Sequence, residues 1–145
     1  MILALNIYDI DTSNLIISNK EINMVSDCKY FYKLFYSTSC YLMSGIYINI
    51  NFIDYKSSIF YNYIKINYNT EQNNGLINKV REMENYILSG ISPNIKNNLY
   101  NDLLQGSIKI QTKNQYTNQK HIALKITGIW ENYNVCGLCY KFLFI

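Results

Sequence analysis

Short apolar runs that alternate with polar residues dominate the first seventy positions: "MILALNIYDI", "NLIISNKEINMV", "KYFYKLFYST", "YLMSGIYININF" and "IFYNYIKINYN". Ile, Tyr and Phe fill them, side chains that suit a pleated, half-buried surface. Polar clusters ("DTSN", "DYKSS", "NTEQNNG") separate them, so each run predicts a strand. The period then changes. In "GLINKVREMENYILSG", Leu76, Ile77, Val80, Met83, Ile87 and Leu88 recur at three- and four-residue spacing, which predicts a helix over 76–89 that Gly90 stops. "SPNIKNNLYNDLLQG" predicts a second helix, with Ser92 as its cap, Pro93 in its first turn and Gly106 at its end. Ile95, Leu99 and Leu103 give that helix a narrow apolar stripe. Alternation returns in "GSIKIQT", "HIALKITGIW" and "GLCYKFLFI", and the last two, joined by "ENYNVC", predict a hairpin.

Strands, a helical insert and strands again make a mainly β chain of the α+β class. This is the order of an OB-like antiparallel β-barrel, whose helix falls between the third and fourth strands. A β-sandwich with a helical insertion gives the same order. No internal repeat or linker is visible, and 145 residues suit one domain, so residues 1–145 are expected to form a single OB-like domain. An apolar content of 49% is enough to build its core.

Strand parity sorts inner from outer side chains. In "IFYNYIKINY", Phe60, Ile64 and Ile66 share one face, and Tyr61, Tyr63 and Lys65 the other. In "YLMSGIYININF", Leu42, Ile46, Ile48, Ile50 and Phe52 read as core, leaving Tyr41, Tyr47 and Asn49 outward. In "HIALKITGIW", Ile122, Leu124 and Ile126 face in while Lys125 and Thr127 face out, and Lys141 takes the polar side of the last strand. "KYFYKLFY" leaves two choices, with either Tyr30, Tyr32 and Tyr36 or Phe31, Lys33 and Phe35 outermost.

Composition tempers this picture. The chain holds 15 Tyr and 1 Pro and is rich in Ile, Asn and Lys, a skew that A/T-rich codons produce without any selection for function. A net charge of +3 is compatible with a polyanionic partner without demanding one. The start lacks a positive region and a cleavage site, and no run approaches the roughly 18 apolar residues of a membrane span. The expectation is an intracellular protein with reduced thiols and no membrane partner.

Catalytic signatures are missing. The six Gly are scattered, so no phosphate-cradling loop forms, and the single His, His121, cannot serve a metal and act as a base together. Asp9 and Asp11 read as a turn at the end of the first strand, and Glu82 and Glu84 point different ways on their helix. "CGLC", Cys136 to Cys139, lacks the helix that a redox pair uses to stabilise its thiolate. A structural zinc site needs a second close pair, which Cys28 and Cys40 do not supply. Neither a metal nor a cofactor is expected, and the protein is not expected to be an enzyme.

What remains is tyrosine interleaved with lysine on strands, the combination of stacking surface and phosphate contacts that a single-strand binder uses. Tyr41, Tyr47, Tyr61, Tyr63, Lys65, Lys125, Trp130 and Lys141 are the candidate nucleic-acid-binding residues. Trp130 has two readings, a stacking platform or a plug at the end of the barrel.

The closing segment carries a resemblance. Leu124 to Glu131 ("LKITGIWE"), then Gly137, Leu138, Tyr140, Lys141 and Phe142, resemble the last hairpin of small proteins from large eukaryotic DNA viruses. "VREMENYILSG", "LYNDLLQGSIKI" and "FYKLFYSTSCYLMSGIYINI" extend the likeness from about residue 20 to the end. The hairpin is similar to that of viral single-stranded DNA-binding proteins of the phage OB-fold type. The resemblance implies a non-enzymatic role in viral DNA replication, in the host cytoplasm or nucleus at the replication site. The partners it implies are single-stranded nucleic acid (DNA first), viral replication proteins and further copies of the chain. In that pattern position 139 is not a cysteine position, so "CGLC" reads as a strand with incidental thiols. Phage proteins of this type end in an acidic tail, whereas no acid follows Glu131 here. The alternative is a viral structural or scaffold subunit that meets another protein through the same sheet.

Overall fold

The computed structural model describes residues 4–22, 29–112 and 121–145. Residues 1–3 of the first expected strand, Met24 and Val25 of the second run, and Cys28 lie outside them. The order of elements is β1 (Ala4–Asn6), β2 (Leu15–Ile17), β3 (Glu21–Ile22), β4 (Tyr30–Ser37), β5 (Leu42–Ser44), β6 (Ile46–Ile50), β7 (Lys56–Ile59) and β8 (Tyr63–Asn67). There follow α1 (Asn74–Leu88), β9 (Asn94–Ile95), α2 (Asn98–Leu103), β10 (Ser107–Gln111), β11 (Ile122–Asn132) and β12 (Val135–Phe144). The chain is mostly β with two helices between β8 and β10, as expected of an α+β protein. Asp11 does turn the chain: its carboxylate accepts from Ser13 N at 3.0 Å and Ser13 Oγ at 2.6 Å, and these bonds hold its carboxyl below the usual range.

The larger sheet is built around β11. One edge of β11 pairs with β12, and the turn of this hairpin is Tyr133–Asn134, both at positive φ (47° and 68°), the conformation of a type I′ turn. The expected loop is thus tighter than its composition suggested. The other edge is shared. Ile122–Ile126 pair with β6, and Gly128–Glu131 pair with β4. The exchange of partners happens where the β11–β12 register shifts between Ile126 and Gly128. Gly45 stands opposite it with φ +79°, where a Cβ would lie 2.9 Å from the Ile126 carbonyl oxygen. Only glycine fits such a backbone comfortably.

That glycine breaks one expected strand in two and reverses its parity. β5 stays with β4 while β6 turns onto β11. Tyr41 and Met43 therefore pack against the core and Leu42 is 67% exposed, the opposite of the sequence reading for Tyr41 and Leu42. A second break falls at Phe60–Asn62, where Phe60 N donates to Tyr63 O at 2.9 Å to close a hairpin. Phe60, expected on one face with Ile64 and Ile66, is left exposed by that turn.

The sheet is mixed rather than wholly antiparallel. β1 pairs parallel with β6, and β9 parallel with β12. Parallel neighbours need a long crossover, and the chain between the members of each pair provides one. The smaller sheet, β10-β8-β7, is antiparallel. Ile64, Ile66, Ile108 and Ile110 of that sheet, Ile46, Ile48, Leu124 and Ile126 of the larger one, and Ile77, Val80, Ile87 and Leu99 of the helices belong to one apolar core.

α1 matches the expected helix closely and buries Ile77, Val80, Met83, Ile87 and Leu88. It also buries Glu84, which the apolar pattern did not foresee. The Glu84 carboxylate accepts from Leu99 N (3.1 Å), Tyr100 N (3.3 Å) and Asn97 Nδ2 (3.1 Å), so α1 caps the start of α2. The second helix begins later than predicted. Ser92 does not cap it but donates to the Asn134 carbonyl, and Asn94–Ile95 pair with Val135–Cys136 instead of coiling.

Candidate nucleic-acid interface

Pairing register decides which candidate residues meet. On the outer face of the larger sheet, Lys125 lies directly opposite Tyr47 on one side and Lys141 on the other. Its Nζ sits 5.2 Å from the centre of the Tyr47 ring. The smaller sheet repeats the arrangement. Lys65 lies opposite Lys109, whose Nζ sits 5.0 Å from the Tyr63 ring. Among the described residues, none of these four lysines is within an ion pair of a carboxylate. Like charges facing each other across a ladder repel, so both pairs are a small cost to the fold. An anion lying over them removes that cost.

Past the register shift, the same outer face carries flat rings on bare backbone. A Cβ at Gly137 would lie 2.5 Å from the Trp130 ring, and one at Gly128 would lie 2.6 Å from Phe31. Each ring covers a glycine of a neighbouring strand, because Trp130 pairs with Gly137 and Phe31. Trp130 is half-buried on the outside of the sheet. The undecided strand is also resolved: Leu34 and Tyr36 are buried and Tyr32 packs on the core, so Phe31, Lys33 and Phe35 face out. Lys33 is spent on Glu21 at 3.9 Å.

The eight candidates therefore divide. Tyr47, Lys125, Lys141 and Trp130 share the outer face of the larger sheet. Tyr63 and Lys65 lie on the smaller sheet, with Tyr61 at the adjoining hairpin tip, 92% exposed. Phe60 stacks on Tyr63 with ring centres 4.6 Å apart and planes 13° from parallel. Tyr41 joins neither group, since it stacks on Tyr36 at 6.4 Å and packs on the core. Lys109, Phe31 and Phe60 belong to these surfaces and were not among the candidates. Lys109 alternates outward in "SIKIQ" and was legible by parity, whereas Phe31 needed the register of β4 on β11 and Phe60 the turn that separates β7 from β8.

Comparison with known proteins adds no relative. No family model, curated protein or solved structure matches the chain.

The thiols of "CGLC" sit on a strand, three residues apart, and so face opposite sides of it. Cys136 points into the core beside the Leu88 carbonyl, and burial pushes its thiol pKa up, away from reactivity. A pair divided by its own sheet cannot grip one ion. Nor do the described residues contain any group of three or more His, Cys, Asp or Glu that could hold a metal ion. Among them, too, no helix is long and apolar enough to cross a membrane.

Glu131 is the acid nearest this end of the hairpin, and it is occupied. It accepts from Tyr32 Oη at 3.1 Å and pairs with Lys20 at 3.0 Å. Burial, then the bond to Glu131, raise the Tyr32 pKa, and the bond to Glu131 raises that of Lys20. These groups lie on the inner side of the sheet, away from Lys125 and Lys141.

Proposed function

We propose that this chain is a non-enzymatic single-stranded DNA-binding protein that acts in viral DNA replication, its two sheets forming an OB-like barrel whose outer faces carry the strand. The observation that carries this reading is the repeated pair of opposed, acid-free lysines with a tyrosine under one of them, present on both sheets. Stacked rings accept any base and lysines take the phosphates, so the arrangement suits sequence-independent binding. The helical insert between β8 and β10 and the core shared by both sheets are consistent with the OB-like arrangement. The setting in replication rests on the resemblance of the hairpin.

One set of observations favours a second reading, a subunit that docks on protein. Leu42, Ile53 and Ile59 are 67%, 55% and 70% exposed, and among the described residues β7 pairs only with β8. Salt separates the two readings, because phosphate contacts release counterions whereas apolar contacts do not. The test is an anisotropy titration of a labelled oligonucleotide and of the matching duplex at two salt concentrations. The single strand should bind more tightly, with Tyr61→Ala or Tyr47→Ala each costing roughly 1–3 kcal/mol. Equal affinity for both forms, unchanged by either substitution, would refute the proposal and favour the docking subunit.

A further inference from the structure

We propose that a cavity of about 440 Å³ between α1, β9 and α2 binds a nucleoside monophosphate unit, with its phosphate on Arg81 and Lys96 and its nucleoside against Asn97, Asn98 and Asn101. The site is separate from both sheet surfaces and does not depend on their reading.

The size comes first. Sites for small organic ligands occupy about 300–1,000 Å³, so this cavity suits a ligand larger than a bare ion. The charge follows. Arg81 and Lys96 both line it, and neither is in an ion pair among the described residues. The neighbouring acid Glu82 pairs with Lys79 at 3.5 Å. Glu84, below the cavity, is fully buried and spends its oxygens on Asn97, Leu99 and Tyr100.

Arg81 is also held in position. Its guanidinium carbon lies 4.8 Å from the centre of the Tyr100 ring. Stacking fixes the plane of a guanidinium and leaves its N–H donors available at the edge, the geometry that grips a phosphate through two bonds. Lys96 is anchored through its backbone, whose N–H donates to Cys136 O at 2.8 Å. The side-chain amides of Asn98 and Asn101 make no hydrogen bond within the described residues, leaving donors and acceptors for sugar hydroxyls or a base edge.

The experiment is an amide NMR titration of the full chain with AMP, adenosine and inorganic phosphate, and with an oligonucleotide carrying either a 5′-phosphate or a 5′-hydroxyl. AMP should shift the Asn98 and Asn101 resonances to saturation, with adenosine and phosphate each at least about tenfold weaker. Arg81→Ala and Lys96→Ala, both at exposed positions, should each weaken AMP by about tenfold. Arg81→Lys should recover only part of that loss, because charge without the planar fork is not enough. If the 5′-phosphorylated oligonucleotide alone matches AMP, the ligand is a strand end. If neither oligonucleotide does, it is the free nucleotide, and both outcomes support the site. Absence of saturable shifts, equal binding of AMP by the Arg81→Ala variant, or inorganic phosphate binding as well as AMP would overturn it.

Discussion

Lys141→Gln separates what the outer face contributes to the fold from what it contributes to binding. Lys141 is exposed, opposes Lys125 in register and has no carboxylate partner among the described residues. Lys125 rests over Tyr47, a contact worth about 0.5–1 kcal/mol at an exposed site, so Lys141 is the cleaner member to neutralise. Two unit charges about 6–8 Å apart in water repel by roughly 0.5–0.7 kcal/mol, and physiological salt removes about half of that. Opposed like charges in a ladder cost a similar amount. The variant should therefore be as stable as the parent, or a few tenths of a kcal/mol more so, in urea unfolding. Oligonucleotide affinity should fall, and the slope of log K against log salt should flatten by about 0.7, the share of one phosphate on a single strand. Lys65→Gln should do the same on the smaller sheet. A loss of more than about 1 kcal/mol of stability, or an unchanged salt slope, would refute the reasoning.

Three further outcomes follow from the packing. Gly137→Ala drives a methyl into the Trp130 ring and should cost about 1–3 kcal/mol; Trp130 is the only tryptophan, so its fluorescence reports the displacement directly. Cys136→Ser with Cys139→Ser should leave the fold intact, because a hydroxyl at 136 has the Leu88 carbonyl to donate to, and metal analysis before and after should find no stoichiometric zinc in either protein. Glu84 has a pKa raised by burial above its ordinary 4.5, against the opposing pull of its bonds to Asn97, Tyr100 and Leu99. The native state then holds the proton to higher pH than the unfolded chain, so this contribution to stability is complete below 4.5 and is lost as pH rises through the raised value. Glu84→Gln should flatten that part of the stability profile in thermal melts and cost about 1 kcal/mol through the weakened cap.

Periodicity made most elements legible. α1 was readable because six apolar positions keep one helical face, and β11 and β12 because alternation persists over long strands. The misses have local causes. Gly45 looked like an ordinary residue within an alternating run, yet its positive φ flips parity and sends Tyr41 inward and Leu42 outward. The turn at Tyr61–Asn62 contains neither Gly nor Pro, so "IFYNYIKINY" read as a single strand. Ser92–Pro93 has the chemistry of a helix start, but pairing Asn94–Ile95 with β12 won over coiling, and Glu84 supplied the cap from another helix. For the surface, parity alone found Tyr47, Lys125 and Lys141. That Lys65 faces Lys109 could not be read, because the register of β8 on β10 is set across both helices.

The division of the candidate residues between two sheets has a consequence for how a strand would be held. Each surface offers a pair of lysines on neighbouring strands about 4.8 Å apart, with a ring beside them. That is room for few nucleotides, and a net charge of +3 adds little general attraction. Either surface alone should bind weakly. A strand long enough to engage both gains from effective concentration, since the second contact becomes intramolecular, typically at millimolar effective concentration. Affinity should then rise in a step as a homopolymer is lengthened, rather than in proportion to the number of overlapping sites. Anisotropy titrations with a length series of oligothymidylate measure this. Lys65→Gln or Lys141→Gln should each remove the step while leaving the affinity of the shortest bound oligomers within a few-fold of the parent. A smooth rise with length in the parent, or a step that survives both substitutions, would mean that the two surfaces do not act on one strand.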